Sequence, residues 1–535
     1  MSAKKTHIRR DALFAGTEAG KEPRISTSPA SAFYQKLASA NPLFWLLFVC
    51  LCTAALCLPF IRAGWLGDEG IWLHGAVRLM RGDRLYVDFF ELHPPLGFLL
   101  LQGWLTAFGT TLLSARLLVV LTFVVIAGAT FVASWRAGAN SFLSALIILA
   151  WVVSSQGLWT QANHHWFTTA FSMIALVCAL SPASTSAGFA GLAAGAAVMV
   201  TPPRGLLILI ASSGAFLSAS WKRRLLFMAG TAVVPCLSLL WVLMFSEFDA
   251  AYRDVITFNA TRYSDVQWTP FGYGGGWQSL LAVLAFPYSA ILLFALAMRS
   301  RRILIADRTV RICAFFAMAG FIGCFPRPDY AHILFAVPLA IPLIVAALSR
   351  LEFSLPLTRL AGALFILALV APAKNYLATA RSVWTGRTIP TAAGMVTFPN
   401  SLADEGRLIE SIWTQRRNEP VLFYPYLPSL AFLTRGRHTA RADVFVPFYT
   451  TREQYYEACT QTMAAAAWVV IDPRWSDPEM LHKAFPAMPR YFPHETSEFE
   501  KAIARSFPVQ ARFGPLEMRK RSAASSCDGI LAPAR

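Results

Sequence analysis

Gly67-Asp68-Glu69-Gly70 opens an acidic, aromatic island that continues through a helical run, Ile71 to Arg81, into Tyr86-Val87-Asp88-Phe89-Phe90-Glu91-Leu92-His93-Pro94-Pro95. Apolar runs lie on both sides of it, at about 43–61 and about 112–134, each near the roughly 20 residues a helix needs to cross a bilayer. The rest of the chain has the same character. Its 535 residues are 56% hydrophobic and 14% charged, with a mean hydropathy of +0.49, where an average soluble domain carries roughly 25% charged residues. A wholly soluble protein is excluded. Abundant Leu, Ile, Val and Phe without a Gly or Pro repeat exclude the disordered, collagenous and small disulfide-scaffold classes as well. What remains is a polytopic α-helical membrane protein.

Outward from the island, nine more apolar runs follow at about 141–158, 165–181, 187–203, 205–220, 225–245, 279–298, 310–325, 331–349 and 359–375, giving about eleven spans in all. A further stretch, Pro94 to Gly109, is short, and whether it crosses sets the orientation of everything after it. The N-terminal tail carries Lys4, Lys5, Arg9, Arg10, Lys21, Arg24 and Lys36, too long and polar for a cleaved leader, so it reads as cytoplasmic. If Pro94 to Gly109 lies in the interface, the clusters Lys222-Arg223-Arg224 and Arg299, Arg301, Arg302, Arg308 fall inside, as the positive-inside rule requires. A net charge of +17, from 47 Lys+Arg against 30 Asp+Glu, then reflects cytoplasmic loops and anionic lipid rather than nucleic acid. No zinc spacing or nucleic-acid motif is present.

On this topology the tail from about 376 to 535 lies outside and reads as a small α/β domain. Val421 to Tyr424 and Ala466 to Asp472 have the pattern of buried strands, Arg452 to Met463 and Ser497 to Ser506 of helices. Seven of the nine cysteines lie in apolar segments, where a thiol behaves as a small hydrophobe. Cys459 and Cys527 fall in an oxidising compartment, and a disulfide and two free thiols both remain open.

Ionisable side chains are scarce within the runs and gather at their expected outer ends: Asp68, Glu69, Asp88, Glu91 and His93, then His164, His165, Arg204, Arg327, Asp329 and His332. That is the pattern of a site at the outer membrane surface. A proton-coupled pump would instead bury acids and bases along a relay. An acidic pair after the first helix, an amphipathic segment, the Tyr86–Pro95 stretch and an apolar helix ending in Phe108-Gly109 resemble the integral-membrane glycosyltransferases of the GT-C class. Those related to protein O-mannosyltransferases and lipid A aminoarabinose transferases are most similar. The resemblance extends through Arg116, the small-residue segment Gly188 to Arg204, and Arg327-Pro328-Asp329-Tyr330-Ala331-His332, covering about residues 42–375.

The resemblance implies a sugar donor on a polyprenyl phosphate, with Asp68 as the catalytic acid that orients or deprotonates an acceptor hydroxyl and inversion at the sugar in one displacement. The competing use of Asp68 is to cap the helix that begins beside it. Glu69 is the second catalytic candidate, although as the next residue of a helical start it faces elsewhere. Arg204, in the turn Thr201-Pro202-Pro203-Arg204-Gly205, is the candidate for the leaving phosphate, against a snorkelling role. His93, Arg327 and His332 are further phosphate candidates, the last two against interface anchoring. Asp88, Glu91, His164 and His165 are candidates for substrate hydroxyls.

Adjacent histidines lack the i, i+4 spacing of metal ligands and are expected to point in different directions. No protein metal site is read, and a divalent cation such as Mg or Mn is the one cofactor left open. The outer loop 246–278, with Gly274-Gly275-Gly276, reads as a mobile cover; its glycines follow no strand and are not a nucleotide-binding loop. The layout is then a basic cytoplasmic tail (1–41), a transmembrane GT-C catalytic domain (42–375) with a first outer loop (62–111), and an extracytoplasmic, periplasmic α/β domain (376–535) in a bacterial inner membrane. The expected partners are the polyprenyl-linked donor, membrane lipid, and a glycan, lipid or protein acceptor. The rival is a transporter of polyprenyl-linked lipid or polysaccharide, which would show related halves or interrupted helices with midplane polar residues.

Overall fold

Each of the eleven apolar runs lies on a helix. The computed structural model describes residues 41–535 apart from Leu66, 300–306, 352–354, 417–418, 524–525 and 532–535. The basic N-terminal tail and the cluster residues Arg301 and Arg302 therefore lie outside the described residues. Among those described, Pro42–Phe60, Leu112–Arg136, Ser141–Leu158, Trp221–Phe245, Leu280–Met298 and Tyr330–Arg350 are long and apolar enough to cross a membrane. His164–Leu180 and Ser184–Val200 are apolar but shorter. Trp221–Phe245 leaves Leu237, Leu240, Leu243, Met244 and Phe245 exposed, a surface suited to a hydrocarbon solvent. The stretch from Pro94 forms the helix Leu96–Phe108, whose 13 residues rise about 20 Å, short of the roughly 30 Å hydrocarbon core.

Helix starts are set by polar caps that the sequence supplies. Thr111 Oγ1 accepts from the Ser114 amide, Asn140 Oδ1 from Leu143, Asn163 Oδ1 from His165 and Asp329 Oδ1 from His332. Each satisfies an amide that the first helical turn leaves without a partner. The last two caps fix where His164, His165 and His332 enter their helices.

The α/β part carries a five-stranded sheet of order β4-β3-β5-β7-β6, made of β3 (Pro420–Tyr424), β4 (Arg437–His438), β5 (Trp468–Ile471), β6 (Val509–Phe513) and β7 (Leu516–Lys520). Strands β3 and β5 run parallel, Val421 beside Trp468 and Tyr424 beside Ile471, while β7 is antiparallel to β5 and β6. Helices Arg452–Ala465 and His494–Ser506 lie where the sequence places them. Cys459 and Cys527 are joined in a disulfide with their Cα atoms 6.0 Å apart, which settles the question the sequence left open. A separate hairpin, β1 (Arg387–Thr391) and β2 (Gly394–Phe398), holds both ends of the first outer loop: Ala393 O accepts from the Leu112 amide, and the Thr397 amide donates to Arg62 O.

The boundary expected at 375/376 falls within a helix. Helix Leu355–Trp384 runs through it, and residues 42–535 form one compact unit. The physical reason is a shared core in which Trp72, Leu73 and Phe89 of the loop 62–111 pack with Leu427, Leu430, Phe432 and Val470 of the α/β part. Gly70 makes the contact possible, because a Cβ there would lie 2.1 Å from the Ser429 amide nitrogen. Ser429 Oγ also meets the Gly67 backbone, at 3.2 Å.

Candidate active site

A cavity of about 400 Å³ lies where the loop 62–111, the starts of His164–Leu180 and Tyr330–Arg350, the loop 246–278 and the α/β part converge. Asp68, Glu91, His93, His164, His165, Arg327 and His332 all line it. Asp68 stands just before helix Glu69–Met80, but its side chain makes no capping bond; its Oδ1 accepts from the Tyr426 hydroxyl. The capping role is thus unfilled, and the carboxylate is turned into the cavity.

Glu69 has a different place. Both oxygens are taken up away from the cavity: Oε2 accepts from Arg116 Nη2 at 2.6 Å and Oε1 from the Ala162 amide at 2.8 Å. Successive residues of a helix point about 100° apart, so the acid next to Asp68 faces the protein interior and ties the first loop to the segment leading into His164. Its placement does not fit a second catalytic acid. Asp88 also lies away from the cavity, accepting from the Arg84 amide at 2.7 Å on an exposed turn.

The Tyr86–Pro95 stretch turns back on itself. Tyr86, at φ 70°, donates its buried hydroxyl to His93 O at 2.7 Å, and the His93 ring rests against Trp72 and His164, with centroids 4.9 and 4.3 Å away. Burial pushes the His93 pKa down to about 4 against the opposing field of Asp68, so the ring is neutral at pH 7 and acts by hydrogen bonding rather than charge. Burial and then the Asp443 charge push Glu91 well above the usual carboxylate range, against the Leu92 backbone.

His164 and His165 both line the cavity, contrary to the expectation that neighbours on a helix would part. The Asn163 cap starts the helix so that the His164 ring stacks on Trp72, centroids 5.0 Å apart, and the His165 ring on Phe335 at 4.6 Å and beside His332 at 4.8 Å. Arg204 stands behind them. It does not line the cavity; it is buried and bonds His165 Nδ1 from Nη1 at 3.1 Å. With Nδ1 accepting, the His165 proton sits on Nε2.

Asp329 organises the remaining cationic part. Its carboxylate accepts from Arg327 Nε at 2.7 Å and from His332 Nδ1 at 2.7 Å. Burial opposes its charge, but His332 and Arg327 outweigh that and hold the carboxyl well below the usual range. Arg327 also donates to Gln267 and to Ala484 O and lies over the Phe485 ring, 5.0 Å from its centroid. Burial lowers its pKa, but the Asp329 charge and hydrogen bond, with the Asp68 charge, raise it above the ordinary value. The guanidinium is therefore fixed in orientation before any ligand arrives.

The loop 246–278 is one wall of the cavity. It folds into short helical turns from Phe248 to Gln267, with Phe258, Tyr263 and Gln267 on the cavity. Asn259 Nδ2 donates to Leu92 O at 2.8 Å, and Arg441 Nη2 to Asp254 at 2.8 Å, pinning it on both sides. Among the described residues no group of three or more His, Cys, Asp or Glu side chains is placed to hold a metal ion.

Sequence reading missed the opposite wall, where Tyr426, Asp443, Tyr449 and Trp475 come from the α/β part. Tyr426 follows the end of β3 and Trp475 the end of β5, and because the two strands are parallel neighbours their ends bring the rings to 5.0 Å. Ligands commonly bind outside the carboxyl ends of parallel strands. The strands are readable from sequence; their parallel pairing is not.

The chain has a fold of the GT-C type and is an integral membrane protein. The likeness is to ArnT from Cupriavidus metallidurans bound to undecaprenyl phosphate, at TM-score 0.57 and 16% identity over 91% of this chain and 100% of that one. The same protein in the apo state matches at TM-score 0.53 and 14% identity, over 95% of this chain and 100% of that one. No family model and no curated protein matches the sequence.

Proposed function

We propose that this chain is an inverting glycosyltransferase that moves a sugar from a polyprenyl-phosphate donor to an acceptor at the outer face of a bacterial inner membrane, with its N-terminus cytoplasmic. One observation supports this most: the first-loop carboxylate of Asp68 shares a cavity with the fixed Arg327–Asp329–His332 group, in a fold shared with a protein crystallised with undecaprenyl phosphate. In this reading Asp68 takes the proton from an acceptor hydroxyl as its oxygen attacks the anomeric carbon. The bond from that carbon to the phosphate oxygen breaks, and the electron pair leaves with the polyprenyl phosphate. Arg327 and His332 face the developing phosphate charge, and prior fixing by Asp329 spares reorganisation in the transition state. His93 and His165 donate or accept hydrogen bonds as neutral rings, Arg204 positions His165, and Glu69 positions the loop that carries Asp68.

The test is transfer of radiolabelled sugar from native polyprenyl-phosphate donors in membranes containing equal amounts of wild type or Asp68→Asn, with and without EDTA. Removing a general base costs roughly 10²–10⁴-fold, so transfer falls by at least about a hundredfold in Asp68→Asn. Insensitivity of the wild type to EDTA indicates that no exchangeable divalent cation takes part; loss of transfer brings in the cation that the sequence leaves open. Equal transfer by wild type and Asp68→Asn removes Asp68 from the mechanism.

A further inference from the structure

Asp443 is a carboxylate that no role so far uses. It is 8% exposed, lines the cavity and is held at Oδ2 by His74 Nδ1 at 2.8 Å, while its Oδ1 has no hydrogen-bond partner. The nearby basic side chains are committed elsewhere. His438 Nε2 is 3.7 Å from Oδ1 but bonds Ala442 O at 2.9 Å, and its Nδ1 accepts from the Phe423 amide. That pattern fixes a neutral imidazole whose one proton is already used, and burial pushes the His438 pKa down to about 4. Arg78 bonds Asp83 and Asp88 O, and Arg441 bonds Asp254 and the Tyr86 and Val87 carbonyls. A buried carboxylate oxygen left without a donor is costly, and Asp443 is part of the cavity wall.

Aromatic side chains line the same cavity. Val444, the next residue, bridges to Tyr426, whose ring leans on Trp475, and Tyr449 lines the same cavity. A carboxylate acceptor beside flat apolar rings suits a polyhydroxylated ring, with hydroxyls donating to the carboxylate and C–H faces lying on the aromatics. The same charge repels a phosphate, which is drawn instead toward Arg327. We infer that Asp443, with Trp475 and Tyr449, forms a carbohydrate subsite that holds a sugar ring of the acceptor on the α/β wall. This rests on the transferase reading for the word acceptor, whereas the subsite itself can be tested without transfer.

The experiment uses the full-length chain in detergent. Binding of a panel of methyl hexosides and pentosides is followed by saturation-transfer NMR, and binding of undecaprenyl phosphate is measured separately. Wild type binds at least one glycoside; Asp443→Ala and Trp475→Ala each weaken it by about tenfold, with undecaprenyl phosphate binding unchanged. Trp475→Ala breaks no ion pair and so reports on the subsite even if Asp443→Ala unfolds. The inference is overturned if wild type binds no glycoside, or if both folded variants bind it as well as wild type. Glycoside binding together with failure to bind undecaprenyl phosphate would sink the transferase reading and leave the subsite standing.

Discussion

Asp68 and Glu69 are adjacent acids with opposite circumstances. Asp68 faces a cavity and one tyrosine hydroxyl; Glu69, 3% exposed, is locked to Arg116, 2% exposed, and to the Ala162 amide. Removing one partner of such a buried pair leaves an uncompensated charge and typically costs about 3–5 kcal/mol. Glu69→Ala is therefore expected to lower the thermal unfolding temperature sharply in detergent, while Asp68→Asn leaves it near wild type and removes transfer. A stable Glu69→Ala protein that has lost only transfer would return Glu69 to a catalytic role.

Among the elements, the helix Glu69–Met80 is the joint between the membrane helices and the α/β part. Its Gly70 lies against the Ser429 backbone, and Gly70→Ala places a methyl 2.1 Å from that nitrogen, with backbone rather than a flexible side chain in the way. Limited proteolysis should then cut the α/β part faster than in wild type, and an unchanged pattern would show that the joint yields without cost. His438, the last residue of β4, gives a pH signature. Its folded pKa of about 4 is below the ordinary value of about 6.5, so the unfolded chain takes up the proton first. The stability it contributes is complete above about 6.5 and is lost as the pH falls through about 4. The unfolding-temperature gap between wild type and His438→Gln should shrink between pH 7 and pH 4, and a constant gap would contradict a neutral, buried ring. Sequence made part of this legible. His164, His165, Arg327, Asp329 and His332 sit at the ends of apolar runs and the Tyr86–Pro95 stretch is local, so their side chains could be assigned to one outer end. Tyr426 and Asp443 meet Asp68 and His74 across sequence separations of 358 and 369 residues, through parallel strands whose pairing leaves no local pattern. The facing of Glu69 was open for the opposite reason, since a one-residue step on a helix reverses a role and only Arg116 shows which acid turned inward.

In the whole molecule, apolar run length made the helices legible, while the core shared by the first loop and the α/β part was not, because Trp72 and Phe432 each read simply as hydrophobic residues. The Cys459–Cys527 disulfide closes a separation of 68 residues, and losing a bridge of this kind typically costs about 2–5 kcal/mol. If the α/β part is periplasmic, a maleimide mass tag should label Cys459 and Cys527 in denatured native membranes only after reduction; labelling without reduction would place that part in a reducing compartment. The central claim is that Asp68 is the base of a sugar transfer from a polyprenyl phosphate. It is tested most directly by a single-turnover assay on the purified full-length chain preloaded with labelled donor, wild type beside Asp68→Asn. The account predicts equal donor loading and a transfer rate at least about a hundredfold lower in Asp68→Asn. Equal rates at equal loading would contradict it.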